Sequence, residues 1–192
     1  FLGLGAVGYA TVSSEQVAAP VVSVVHPHTN NAIELQYGVN RTLTEPDFYA
    51  ETRDAFIDQA LTFIEADLTQ MQLRYFENGV LAYSTEILSK GREGSWWETP
   101  AGLYQIELKK DNHFSSFGQV YQPWSMVFQG NFFIHGWPEY PDGRPVESEF
   151  SGGCIRLGNE DAKRFYELAS LGTPVLVHEA ELAGDDFMYE PK

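Results

Sequence analysis

Asn78-Gly79 stands between two runs, MQLRYF (71–76) and VLAYST (80–85), in which apolar and polar side chains alternate. Asn-Gly takes the left-handed backbone of a type I′ turn readily, and that turn matches the twist of paired strands. With Glu77 before it, the stretch reads as an antiparallel hairpin. GLYQIEL (102–108), SMVFQG with NFFIHG (125–136) and the late VLVHE are further strand candidates, and VVSVV (21–25) is a short one. HPHTNN after it is a turn, and HGWPEYPDGRPVESEFSGG is a long loop by its Pro, Gly and acidic content. His113, after Lys109, Lys110 and Asp111, falls in a polar turn, and His178 closes the last strand in a structural role. The chain is therefore expected to be mainly β.

Two stretches break the pattern. Thr44-Glu45-Pro46-Asp47 carries helix-start signals, with Thr44 as N-cap and Pro46 in the first turn. Phe48, Ala55, Phe56, Ala60 and Phe63 supply an apolar stripe, which predicts a helix over about 46–60. A second helix follows residue 158, with Asn159 as N-cap, Glu160 and Asp161 in the first turn, and Gly172 as the stop. Apolar residues make up 43% of the 192-residue chain and aromatics 14%, enough for a packed core in one domain. The net charge of −15 excludes nucleic acid as partner, because a phosphate backbone would be repelled. FLGLGAVGYATV (1–12) is too short to span a bilayer and reads either as the end of a signal or membrane-anchor segment, which would tether the chain, or as an ordinary N-terminal strand or buried tail.

The single cysteine, Cys154, follows two glycines in SGGCIRL. One reading makes it a small buried hydrophobe beside a tight turn, with Arg156 in a structural salt bridge. The other makes it a nucleophile, which needs a base because only the thiolate attacks well. His135 ends an apolar run at the start of the long loop that returns to SGGC. His26 and His28, separated by Pro27, are weak metal candidates, and no metal or cofactor is expected. Gly152 and Gly153 free the backbone, so the N–H groups of Gly153 and Cys154 can face a developing oxyanion. Arg156, two residues on, can meet a substrate carboxylate.

Ile134-His135-Gly136, the loop, and Ser151-Gly152-Gly153-Cys154-Ile155-Arg156-Leu157 with Asn159 resemble the catalytic domain of the L,D-transpeptidases, the YkuD-like fold. The spacing of 19 from His135 to Cys154 suits the family, as does Thr99-Pro100-Ala101-Gly102 upstream. The resemblance covers residues 62–178 and implies a β-sandwich with a few short helices. The segments before it have no counterpart in the family core, and with the readings above the chain divides into 1–12 (end of a signal or anchor segment), 13–44 (linker), 45–61 (accessory helix), 62–178 (catalytic domain) and 179–192 (tail). The resemblance further implies acyl transfer on peptidoglycan stem peptides outside the cytoplasmic membrane, in the cell envelope or periplasm, with Cys154 as nucleophile and His135 as base. Gly136 would orient the imidazole through its carbonyl. Ser151, Gly152, Gly153 and Arg156 would line the oxyanion and substrate sites, and carbapenems would be covalent inhibitors. Many relatives carry His where this chain has Gly152, so His135 is expected to be the one nearby base. Trp96, Trp97 and Trp137 either wall the groove or pack on the sheet. An L,D-carboxypeptidase of the same fold and a non-catalytic envelope-binding module are the alternatives. The active reading expects a thiol that alkylates faster than an ordinary cysteine near neutral pH.

Overall fold

The computed structural model describes residues 20–180. In chain order the elements are β1 (Ser23–Val25), β2 (Ala32–Glu34), β3 (Gly38–Val39), α1 (Pro46–Asp58), β4 (Phe63–Asp67), β5 (Gln72–Glu77) and β6 (Val80–Glu86). There follow β7 (Gly102–Gln105), β8 (Leu108–Ser115), β9 (Val120–Gln129), β10 (Phe132–His135), β11 (Ile155–Arg156), α2 (Asn159–Leu168) and β12 (Pro174–His178). The expected apolar segment at 1–12 and most of the tail at 179–192 lie outside the described residues.

The expected hairpin forms between β5 and β6, with Glu77 opposite Val80. Asn78 at φ 52° and Gly79 at φ 76° give the two left-handed residues that a type I′ turn requires. A six-stranded sheet in the order β3-β7-β12-β4-β5-β6 faces a four-stranded sheet in the order β11-β10-β9-β8. Ile64, Ala66, Leu73, Tyr75, Val175 and Val177 from the first sheet meet Met126, Phe128, Ile134 and Ile155 from the second, with Ala162 and Phe165 of α2 completing the core. The fold is a mainly β sandwich, as the sequence implied.

The opposite face of the larger sheet is also covered. Phe63, Phe76, Leu103 and Leu176 pack against Phe48, Tyr49 and Phe56 of α1 and against Val22, Val24, Leu35 and Leu43. Covering on both sides explains why β4 and β12 are buried along their whole length. The segment expected as a linker thus carries, from residue 20 on, the β1–β2 hairpin, β3 and a 3-10 turn at Arg41–Thr44.

Both expected helix caps are corrected. Asn40 caps the 3-10 turn through Thr42 N–H, Thr44 ends that turn, and its hydroxyl donates back to Arg41 O at 2.7 Å. Glu45 therefore occupies the cap position of α1, without a side-chain bond. Gly158 caps α2, because the Asn159 side chain is taken by a tertiary bond to the loop after His135. The far end of α2 is closed by Lys109, whose ammonium donates to Tyr166 O and Ala169 O at 2.5 and 2.6 Å. α2 ends at Leu168, and Gly172 serves the following turn with φ 83°. Among the described residues no helix is long and apolar enough to cross a membrane.

Candidate active site

β10 and β11 run parallel, with Ile134 opposite Ile155 and His135 opposite Arg156. Ile134 and Ile155 enter the core, so the alternation of side chains turns Phe133, His135, Cys154 and Arg156 to the other face. There Val127, Phe133 and Cys154 form a small apolar cluster. Two motifs far apart in sequence are thus brought together by one short parallel ladder.

His135 is fully buried. Its Nδ1 lies 2.6 Å from the Gly136 carbonyl oxygen. A carbonyl only accepts, so Nδ1 carries the proton and Nε2 keeps the lone pair that a general base needs. A Cβ at Gly136 would meet Asn159 Oδ1 at 2.5 Å and Pro123 Cγ at 3.0 Å. Only glycine lets the loop pass this close to α2, where Asn159 Oδ1 accepts from Trp137 N–H at 2.7 Å. Gln122, unmarked by any motif, reaches His135 Nε2 with its amide nitrogen at 3.3 Å.

Cys154 is 7% exposed. Its thiol donates a long hydrogen bond of 3.8 Å to Asn131 O, and none joins it to His135 among the described residues. Burial pushes the thiol up to about 11, against the opposing pull of Phe133 backbone hydrogen bonding and of Arg156. Burial pushes His135 down to about 4; the Gly136 bond opposes this, while Arg156 and His113 add to it. The resting pair is therefore a neutral thiol and a neutral imidazole at neutral pH. This corrects the expectation of a thiol more reactive than ordinary cysteine, because desolvation outweighs the nearby positive charge.

Gly153 has φ 97°, and the Phe132 ring occupies the place a Cβ would take. Its carbonyl accepts from Thr99 Oγ1 at 3.0 Å, and Thr99 in turn accepts from Gly91 N–H at 2.9 Å. The T-P-A-G stretch therefore buttresses the turn that carries Cys154. Ser151 Oγ donates to Cys154 O at 2.5 Å and accepts from Gly153 N–H at 3.1 Å. The Gly153 N–H, expected to face an oxyanion, is occupied by that hydroxyl. The Cys154 N–H has no acceptor among the described residues and is the donor left for that task. At Gly152 an added Cβ would meet nothing within 4 Å.

Arg156 is buried, donates from Nη1 to Ser148 O at 3.0 Å, and lies 5.5 Å from the Trp137 ring. Its Nε is buried without a partner, and no carboxylate among the described residues comes within ion-pair distance. Trp137 also anchors the long loop by donating from Nε1 to Val146 O at 2.9 Å. Trp96 is 98% exposed and Trp97 half-exposed, its ring 5.4 Å from Phe117 at the β8–β9 tip.

Two other histidines depart from expectation or extend it. His113 is in strand β8 rather than a polar turn, and its ring stacks on Phe133 at 4.8 Å. A second imidazole thus stands over the thiol's apolar cluster, so His135 is not the one histidine nearby. His178 is buried in a structural setting, stacked on Tyr49 at 3.4 Å. His26 accepts from His28 N–H at 3.2 Å, and no group of three metal-ligating side chains exists among the described residues.

The YkuD family model, described as the L,D-transpeptidase catalytic domain, matches residues 61–177. Among solved structures, an L,D-transpeptidase from Stackebrandtia nassauensis is similar at 26% identity and a TM-score of 0.53, over 62% of this chain and 56% of that one. The present chain thus spans little more than half that relative's length. An L,D-transpeptidase from Enterococcus faecium is similar at 18% identity and a TM-score of 0.52, over 83% of this chain and 75% of that one. Another, solved in complex with imipenem, gives 16% and 0.51, over 60% and 58%. These last two speak for the fold alone. No curated protein matches the chain significantly. The family match runs through the hairpin, the T-P-A-G buttress, His135 and Cys154, and on that match the chain belongs to the L,D-transpeptidase catalytic domain (YkuD) family.

Proposed function

We propose that this chain is an L,D-transpeptidase that transfers acyl groups between peptidoglycan stem peptides through a Cys154 thioester. The observation that carries the reading is the β10–β11 register, which sets His135, with Nδ1 held by the Gly136 carbonyl, on the same face as Cys154. Cys154 Sγ attacks the carbonyl between the L-centre of stem residue three and D-Ala at position four, while its proton passes to His135 Nε2. The Cys154 N–H stabilises the oxyanion. Collapse breaks the peptide bond, the D-Ala amine takes the proton from His135, and a thioester remains. An acceptor amine then attacks, its proton goes to His135, and the thiol leaves with that proton. Because both groups rest neutral, proton transfer accompanies attack.

Arg156, buried and free of carboxylate partners among the described residues, suits a stem carboxylate. The imipenem complex of a relative supports carbapenems as covalent inhibitors at Cys154. The reading carries an extracytoplasmic location, which cell fractionation would test. The activity test is incubation with disaccharide-tetrapeptide and mass analysis of products. A dimer with a three-to-three linkage is expected, absent in Cys154→Ala. Tripeptide alone would make the chain an L,D-carboxypeptidase, and turnover by Cys154→Ala would overturn the cysteine mechanism.

A further inference from the structure

Gln122 sits on β9 opposite His113 of β8. Its backbone is tightly held: Ser125 Oγ donates to its carbonyl at 2.9 Å, Tyr121 and Glu139 exchange hydrogen bonds beside it, and Pro123 O accepts from Gly136 N–H. The side chain is buried, its Nε2 lies 3.3 Å from His135 Nε2, and its Oε1 is buried with no partner. An orphaned buried acceptor in a well-packed site calls for a reason.

The two ends of the amide supply one. With Nδ1–H committed to the Gly136 carbonyl, a neutral His135 offers only a lone pair at Nε2, and the Gln122 N–H matches it. Once Nε2 takes up a proton it becomes a donor facing a donor. A half-turn of the Gln122 amide brings Oε1, idle in the resting arrangement, to that N–H in the same space. We propose that Gln122 is a positioning residue for His135, its N–H holding the neutral ring and its Oε1 accepting from the imidazolium formed when Cys154 gives up its proton. This rests on the acyl-transfer reading only for the origin of that proton.

The charged and titratable groups around His135 do not already supply this acceptor. Arg156 stands opposite it on β11, His113 lies beyond Phe133 on β8 with Lys110 at 3.4 Å from its ring, and Cys154 follows on the SGGC turn. Arg156 and His113 both disfavour the imidazolium. Among the described residues the Gln122 carbonyl is the partnerless acceptor beside Nε2.

The test uses the full chain with 15N-labelled histidine, His135 being assigned by its loss in His135→Ala. Gln122→Glu presents an acceptor permanently. It is expected to raise the His135 titration midpoint by a pH unit or more and to move the acid limb of imipenem acylation up with it. Gln122→Met, similar in length but apolar, removes both ends. It is expected to lower the midpoint and slow acylation at pH 7 about tenfold or more, the scale of losing a hydrogen bond to a charged group. Unmoved midpoints in both variants, or wild-type acylation by Gln122→Met, overturn the proposal. If Gln122→Glu fails to fold, Gln122→Met decides by the same two readouts. A shifted midpoint in a protein whose wild type is never acylated supports the pairing and removes the acyl-transfer reading. An unshifted midpoint with normal wild-type acylation does the reverse.

Discussion

Gly152 and Gly153 are neighbours under opposite demands. Gly153 holds φ 97° with Phe132 where a Cβ would stand, whereas Gly152 has an ordinary φ and open space around it. Gly153→Ala is therefore expected to cost about 1–3 kcal/mol and to abolish acylation, while Gly152→Ala leaves thermal stability and acylation near wild type. Chemical denaturation with intact-mass assays checks both. The thiol makes a second prediction. With burial pushing Cys154 up to about 11, iodoacetamide labelling of the folded protein should rise close to tenfold per pH unit from 7 to 10. A plateau near pH 8.5 would mean an ordinary, solvated cysteine. His135 and Cys154 were legible because glycines and strand ends mark places where a side chain is offered to a site. Gln122 was not, since a lone Gln in YQPW belongs to no pattern and its meaning comes only from the strand it faces. His113 was misread because Lys109-Lys110-Asp111 looks like a turn, although it lies in an exposed strand.

β4 shows why some elements escaped notice. FIEAD carries Glu65 and Asp67 inside the molecule, where they face Arg74 at 2.9 and 3.2 Å, so its buried strand does not read as an apolar run. β11 is two residues long and exists through its pairing with β10, which no local pattern foretells. The β5–β6 hairpin and α1 were legible because their signals are local: Asn-Gly in one, Pro46 with Phe48, Ala55 and Phe56 in the other, although α1 ends at Asp58, leaving Ala60 in the turn after it and Phe63 in β4. The caps were misplaced because tertiary bonds claimed Asn159 and a preceding turn claimed Thr44. The buttress formed by Thr99 joins two loops that carry little regular structure of their own. Thr99→Val keeps the shape but strands the Gly91 N–H and the Gly153 carbonyl, and is expected to cost about 1–3 kcal/mol and to slow acylation. Unchanged denaturation and acylation would mean that the turn stands without it.

The whole molecule stacks the helix-and-hairpin layer, the six-stranded sheet and the smaller sheet that bears the site. A buried ionic cluster pins the first layer to the second: Arg53 and Tyr49 of α1 meet Glu65, which also binds Arg74, with His178 beside them. Arg74→Met removes the cation nearest to Glu65 and Asp67 and is expected to cost about 3–5 kcal/mol by denaturation. Burial also shapes the pH dependence. His135 is pushed down to about 4 from 6.5, and His178 is lowered too, so their contribution is present above about pH 6.5 and lost as pH falls. Glu65, pushed up to about 7 from 4.5, works the other way, its contribution being lost as pH rises through 7. Two histidines outweigh one carboxyl between 4.5 and 6.5, and His113, lowered by burial and by Lys110, acts in the same direction, so stability should peak near pH 6.5. On the acid side it should fall by at least about 1.4 kcal/mol per pH unit, more gently in His135→Ala. The central claim is that this stack holds Cys154 and His135 for acyl transfer, and intact mass of the full chain after brief exposure to disaccharide-tetrapeptide tests it most directly. The expected result is an adduct equal to the donor less D-Ala, on wild type and not on Cys154→Ala; an unmodified wild type that still releases D-Ala, or release by Cys154→Ala, would contradict it.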